Sequence, residues 1–387
     1  MVNLAAKKEN SNLHRYLVSL DAHKRTYFAK IVDTRTDKIL FNSCIVGTIK
    51  NVIDRLEMLK LPKKETMVLY EAGCVGFHPY WQLHDAGYEC LVIAPSSIPR
   101  NNRLRKSDKH DCSNNLHYHI SGLLRYVTVP ERDTLHIREL NRYRDDLVDK
   151  LRKQKQQINA FTLRHGHIFD GTKNDWSVVH HKWLKALKLA PTLQITLTLL
   201  LEEFTSIDNH ISKCEKEIQN SIKARPNMEN QVDKFKLLPG IGPIIAQTIV
   251  LECGELGRFG RPDQFSRFLG LTPGMQQSGG SNPALAITKE GNELGRRMVI
   301  SASKFYGDRR CLYSEKELLL LPEKLAVFVR KMQDRLNSRH RHLRGRGKHI
   351  NKVRCAIARE LAMFLWEYAN RVIPELETGT VRRKKAA

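Results

Sequence analysis

The sequence predicts an α/β domain followed by a mainly helical region (fold class α/β plus α), and three observations predict it. Strand-length apolar runs alternate with helical stretches over residues 1–128. From about Pro130 to Lys236 strand signals cease, and Leu, Lys, Arg, Gln and Glu recur at helical spacing. Beyond that, glycine-rich turns separate short helical runs, and a long basic stretch follows. The expected division is an α/β domain over 1–128, a helical or coiled-coil region over 129–232, a second, mainly helical domain over 233–310, and a basic helical region over 311–387.

Tyr16-Leu-Val-Ser-Leu-Asp21 is an apolar run of strand length that ends in an acid, which places Asp21 at the tip of a buried strand. Tyr27 to Val32 and Ile39 to Val46 follow after short polar turns, so three strands in succession suggest an antiparallel meander. A helix from about Thr48 to Leu59 is closed by Pro62. Thr66-Met-Val-Leu-Tyr-Glu71 is a second short apolar run with a terminal acid. Gly73 and Gly76 lead into a helix reaching about Ala86, and Cys90 to Ala94 forms a strand that Pro95 stops. A further helix, Ser107 to Leu124, carries Asp108 and Asp111 three residues apart, as neighbours on one helical face.

Asp21, Glu71, Asp108 and Asp111 can therefore converge. Ionised carboxylates a few ångströms apart repel, and divalent cations remove the conflict. Hard oxygen donors favour Mg2+ or Mn2+, and two such ions about 3.5–4 Å apart can clamp the attacking and leaving oxygens of a phosphodiester. The element order and the positions of the acids resemble a ribonuclease-H-like (RuvC-like) nuclease domain. The competing view treats each acid as a solvated residue at the end of a strand or helix.

The 387-residue chain is 41% apolar, enough for two or three cored domains, and its net charge of +24 points to a polyanionic partner. No apolar stretch reaches the ~18 residues of a spanning helix and the N-terminus has no signal-peptide core, so the expectation is a cytosolic or nucleoid protein with no membrane contact. The eight cysteines show no C-x-x-C or zinc-ligand spacing, which predicts buried free thiols. The sixteen histidines, among them His165, His167, His180 and His181, form no H-E-x-x-H arrangement and fit nucleic-acid contact or surface exposure.

Arg100, Arg103, Arg105 and Lys106 precede the Asp108 helix and would flank the acids. A larger cluster runs from Arg330 through Arg344, Arg346 and Lys348 to Arg354 with almost no acid, and Gly345 and Gly347 suggest a loop within it. A stretch this one-sided favours nucleic acid over a plain solvated face. In the helical region Leu135, Leu140, Leu147, Leu151 and Ile158 approximate a heptad stripe; Leu197 to Ile222, after Pro191, offers a second arm, and Gly166 and Gly171 break the first. An antiparallel hairpin and an ordinary bundle both fit, and either can mediate self-association.

Lys236-Leu-Leu-Pro-Gly-Ile-Gly-Pro243, before Ile244 to Val250, reads as two helices joined by a tight turn. It resembles a helix-hairpin-helix module, in which Gly240 and Gly242 let the backbone approach a phosphate; a purely structural turn competes. Phe268-Leu-Gly-Leu-Thr-Pro-Gly-Met-Gln-Gln-Ser-Gly-Gly-Ser281 puts Ser278 in a glycine-rich turn, with Lys289, Arg296 and Arg297 nearby to neutralise phosphate. No base accompanies Ser278 in the motif, so spacing alone favours a flexible-loop serine over a nucleophile.

The succession D…E…D-x-x-D, helical insert, L-P-G-I-G, then F-L-G-L-T-P…S-G-G-S…I-T-K-E-G-N, resembles the DEDD transposases of insertion sequences, family one-ten, bridge-RNA-guided recombinases related to Piv-type invertases. The resemblance covers roughly residues 14–310. It implies a RuvC-like domain in which Asp21, Glu71, Asp108 and Asp111 bind metal, with Lys106-Ser-Asp-Lys-His-Asp111 standing for K-T-D-x-x-D. It implies a transposase domain in which Ser278, five residues after Pro273, is the covalent nucleophile, with Ser281 as the fallback. Ser107 for threonine, Cys112 for alanine and Gln276-Gln277 where a tyrosine is common are departures from the pattern. Also implied are strand exchange through a phosphoserine ester and a Holliday-junction-like intermediate, donor and target DNA pairing with a structured non-coding guide RNA, and a homo-oligomer, a dimer assembling to a tetramer. The helical insert and the Arg330–Arg354 cluster are the candidates for gripping that RNA. Rival readings are a RuvC-like junction nuclease that uses water and the acids alone, and a non-catalytic nucleic-acid scaffold.

Overall fold

The structure, a computed structural model, describes residues 14–95, 98, 108–171, 176–274, 286–307 and 312–374. The chain divides into one compact unit ending at Arg132 and another beginning at Asp133. In the first, the predicted order is present: β1 (Tyr16–Ala22), β2 (Thr26–Asp33), β3 (Lys38–Val46), α1 (Ile49–Met58), β4 (Thr66–Glu71), α2 (His78–Asp85), β5 (Glu89–Ile93) and α3 (Asp108–Ile120). A two-residue strand with no signal in the sequence, β6 (Tyr126–Val127), completes a mixed sheet ordered β3-β2-β1-β4-β5-β6. β1, β2 and β3 form the antiparallel meander, while β4 runs parallel to both β1 and β5.

β1 is apolar on both faces because both are covered. Tyr16, Val18 and Leu20 join Val68 and Tyr70 in a core closed by Ile49, Val52 and Leu56 of α1 and Leu83 of α2. Leu17, Met67, Leu69 and Ile93 join Leu116 and Ile120 of α3 on the opposite face. Helix α3 ends at Ile120 rather than the predicted Leu124, because Gly122 turns the chain at φ +66°.

In the second unit, α4 (Arg132–Arg164) and α6 (Pro191–Lys223) are 33 residues each, about 50 Å long. They run antiparallel: Arg144 pairs with Glu215, Leu147 packs with Ile211 and Cys214, and Gln154 Nε2 donates to Leu200 O at 2.9 Å. α5 (Val178–Ala186) and an aromatic cluster lie at the far end of the hairpin. There His180 is buried, not exposed as its sequence suggested: Nδ1 accepts from the Trp176 N–H at 2.9 Å, and the ring stacks on Trp183 at 5.5 Å.

At the near end, α7 (Pro226–Lys236), α8 (Pro243–Cys253), α9 (Pro262–Phe268), α10 (Glu293–Ser303), α11 (Glu315–Leu318), α12 (Glu323–Gly345) and α13 (Ile350–Glu367) share one core with Ile137 of α4 and Ile218 and Ile222 of α6. The stretch after 311 therefore fills the same core as 233–307. Cys112, Cys214 and Cys253 are buried thiols as expected, whereas Cys44, on the edge strand β3, and Cys74 are exposed.

Candidate active site

Strand alternation decides which way the acids point. Leu17 and Met67 face α3, so Ser19 and Asp21 on β1, and Leu69 and Glu71 on β4, lie on that same face two and four residues on. β1 and β4 pair in parallel register up to Leu20 and Tyr70, which makes Asp21 and Glu71 the next residue on each strand, side by side at the carboxyl edge of the sheet. On α3 the buried stripe is Cys112, Asn115, Leu116 and Ile120. One turn before Cys112 and Asn115 stand Asp108 and Asp111, so the stripe that docks the helix also aims its first-turn acids at the strand ends.

The closest grouping contains a residue of the short polar turn between β1 and β2. His23 Nε2 lies 3.6 Å from Asp21 Oδ2 and 3.5 Å from Asp108 Oδ2, and among the described residues these three form the one set of potential metal donors within 4.8 Å of one another. Glu71 and Asp111 border the set without joining it. The missed signal was the D-x-H spacing at the end of β1, where His23 N donates to Thr26 O at 2.9 Å in the turn to β2. Beyond Glu71, the Tyr70 hydroxyl ties down the following turn by donating to Gly76 O at 3.0 Å. Cys112 packs beneath the acids with Sγ 3.5 Å from Phe28 O; burial pushes its thiol up to about 12, and the charges of Asp21 and Asp111 also act upward. It is a neutral packing group. Two partly exposed carboxylates and an imidazole this close, with two more acids beside them, suit a hard divalent cation.

In the second unit the two glycine motifs of the sequence close on each other. Thr288 N donates to Thr272 O and Gly274 N to Ala286 O, both at 2.9 Å, around an antiparallel bridge between Pro273 and Ile287. Asn292 N donates to Phe268 O at 2.9 Å, and Lys289 N to Gly270 O at 3.2 Å. Phe268-Leu-Gly-Leu-Thr-Pro and Ile287-Thr-Lys-Glu-Gly-Asn are thus two sides of one pinned base. Ser278 and Ser281 belong to residues 275–285, outside the described residues, as do Arg100, Arg103, Arg105 and Lys106.

Of the residues expected to meet phosphate, Gly240 and Gly242 do lie in the turn joining α7 to α8. Gly240 (φ +78°) packs its Cα face against Phe305 and Ala302, where a Cβ would come within 3.1 Å of the phenyl ring, while Gly242 is exposed and open. Lys289, Arg344, Arg346 and Lys348 are exposed. Arg296 is a correction: it is buried, and Nη1 donates to Leu269 O at 3.1 Å and Lys289 O at 3.0 Å, so it braces the pinned base instead of meeting solvent. Arg297 is committed to Asp145 and Asp149 of α4.

Two family models match the chain: a DEDD transposase model, described as Transposase, over residues 18–165, and one described as Transposase IS116/IS110/IS902 family over residues 232–306. The protein named "Putative transposase y4qE" from Sinorhizobium fredii (strain NBRC 101917 / NGR234) is 34% identical over 307 residues, covering 78% of this chain and 74% of that one. The transposase for insertion sequence element IS1533 of Leptospira borgpetersenii is 26% identical over 260 residues, covering 65% and 72% respectively. The transposase for IS1111A of Coxiella burnetii (strain RSA 493 / Nine Mile phase I) is 23% identical over 303 residues, covering 75% and 81%. With its acids gathered at one sheet edge and its two motif segments zipped together, the chain belongs to the IS110-family DEDD transposases of insertion sequences, a membership that implies DNA cutting and strand transfer with a divalent metal.

Proposed function

We propose that this transposase is a bridge-RNA-guided recombinase in which Asp21, Glu71, Asp108 and Asp111, on a RuvC-like domain, and the serine Ser278 serve one strand-transfer reaction. The observation that most supports it is the convergence of Asp21 and Asp108, with Glu71 next to Asp21 in register. Asp21, Glu71, Asp108 and Asp111 would hold Mg2+ or Mn2+, and such an ion, when bound, polarises the phosphodiester and stabilises charge on its oxygens. Ser278 Oγ attacks phosphorus: an Oγ–P bond forms, the bridging P–O bond breaks, the hydroxyl proton passes to a base, and the departing DNA oxygen takes up a proton. The phosphoserine ester conserves the energy of the broken bond, so a hydroxyl of another strand can reverse the step and join. The partners are donor and target DNA, a structured guide RNA, and further copies of this chain through the helical hairpin. No described helix is long and apolar enough to cross a membrane, and a reaction on DNA in the cytoplasm agrees with the proposal.

The test incubates protein, Mg2+, donor and target DNA, and RNA transcribed from the element's flank, and seeks a denaturant-stable protein–DNA adduct. Wild type should form it, Ser278→Ala should not, and Asp108→Asn should lower it by at least the ~10–100-fold that loss of an outer-shell partner of a metal ligand costs. An adduct lost only in Ser281→Ala would move the nucleophile to Ser281. Cleavage with no adduct in any protein would replace the proposal with a water-using nuclease, a reading favoured by the acids lying entirely within the first unit.

A further inference from the structure

We propose that His23 is a direct ligand of the cation held by Asp21 and Asp108, an imidazole added to the four-acid set, and that it biases the centre toward Mn2+ over Mg2+. The proposal rests on the reading that these acids bind metal. Ligand atoms on a divalent ion about 2.1 Å away stand roughly 3.0 Å apart when adjacent and about 4.2 Å apart when opposite. His23 Nε2 is 3.6 Å from Asp21 Oδ2 and 3.5 Å from Asp108 Oδ2, and all three donors fall within 4.8 Å, so the set needs to contract by less than about an ångström. Its backbone is anchored for the role: Asp21 lies in β1, and the next turn holds His23 through the bond from its N–H to Thr26 O. Asp108 arrives from α3, a different element, so the donors approach the gap from two sides.

The alternative is a plain ion pair, in which the imidazole neutralises two carboxylates and leaves when a cation arrives. Ligand chemistry separates the two. Oxygen-only sets suit Mg2+, which holds its waters and accepts nitrogen poorly, whereas Mn2+ accepts a mixed nitrogen and oxygen shell.

The full chain is loaded with one equivalent of Mn2+ and examined by pulsed EPR for 14N coupling, alongside calorimetric titrations with Mn2+ and Mg2+. The expected result is a histidine 14N coupling in the wild type that disappears in His23→Ala, with Mn2+ affinity falling about tenfold or more and Mg2+ affinity changing less. His23→Asp should restore binding without the coupling and shift the preference to Mg2+. His23 is exposed, so these variants are expected to fold, and circular dichroism checks that. A coupling that persists in His23→Ala overturns the proposal. So does its absence from wild type when Asp21→Asn still releases Mn2+, and that outcome leaves the carboxylate site standing. Mn2+ binding that Asp21→Asn does not weaken overturns both the proposal and the reading beneath it.

Discussion

Single residues carry more of this architecture than their side chains suggest, and the glycines of the two motifs are the clearest case. Gly291 adopts φ +131°, and a Cβ there would lie 2.1 Å from Phe268 O; at Gly270 (φ +66°) it would meet Glu290 O at 2.7 Å. Both glycines are required where two backbones cross at the pinned base, which gives the F-L-G-L and K-E-G-N motifs a steric explanation before any chemical one. Gly291→Ala should therefore destabilise the second unit by more than the ~1–3 kcal/mol of a strained φ alone, because backbone must also move. Chemical denaturation would read it, and a loss under about 1 kcal/mol would show that the crossing relaxes at little cost. Arg296 illustrates the opposite limit of sequence reading. Its charge beside a serine loop suggested phosphate, but its burial against two carbonyls makes it a brace.

Among elements, the contact of α4 with α8 and α10 is polar and buried. The Glu252 side chain is fully enclosed, yet it accepts from Arg142 Nε at 2.8 Å and Asn292 Nδ2 at 2.6 Å, and Arg138 Nε lies 2.9 Å away without the alignment of a hydrogen bond. Asn141 extends the seam by donating to Thr248 Oγ1 at 3.2 Å and accepting from Gln247 Nε2 at 3.3 Å. Burial pushes the Glu252 carboxyl up, but the Arg142 hydrogen bond, the Arg138 charge and the Asn292 hydrogen bond together hold it below its ordinary 4.5. Because the folded value is depressed, the pairing contributes stability fully above the ordinary carboxylate value and loses it as pH falls through the folded value. Glu252→Gln, which leaves two arginines facing a neutral amide, should cost about 3–5 kcal/mol near neutral pH. In thermal unfolding the gap between wild type and variant should narrow below the carboxylate range. A gap constant from pH 7 to about 3 would mean that packing, not charge, accounts for the loss.

Over the whole molecule, the excess positive charge is divided between internal pairing and exposure. Arg330 pairs with Glu315, and Arg335 and Arg339 with Glu360, so the early part of the basic cluster is partly neutralised within the helices. From Arg339 to Arg354 the sequence contains no acid, and the turn from α12 into α13 presents Arg344, Arg346 and Lys348 to solvent. The turn falls at the end of the expected loop: α12 continues through Gly345, and Gly347 (φ +69°) makes the bend. If this turn grips the proposed guide RNA, replacing Arg344, Arg346 and Lys348 together by Gln should lower the slope of log affinity for that RNA against log salt by about 2–3, as expected for three lost phosphate contacts. An unchanged slope in a filter-binding titration would remove these three residues from the proposed RNA contact.

The order of strands and helices in the first unit was legible because apolar period and turn residues are local properties, written into successive residues such as Tyr16 to Asp21 and Thr66 to Glu71. The placement of the candidate acids was legible for the same reason, since each stands at the end of a strand or in the first turn of a helix. The approach of His23 to Asp21 and Asp108, the burial of His180 and Arg296, and the pairing of Arg297 with α4 were not. Those depend on which surfaces meet, and identical residue types lie on the inside or the outside of a helix according to contacts made outside their own element, such as that of His23 with Asp108 and of Arg297 with Asp145. Local pattern determined the elements and the candidate chemistry, and long-range packing alone decided which charged groups face one another and which face solvent.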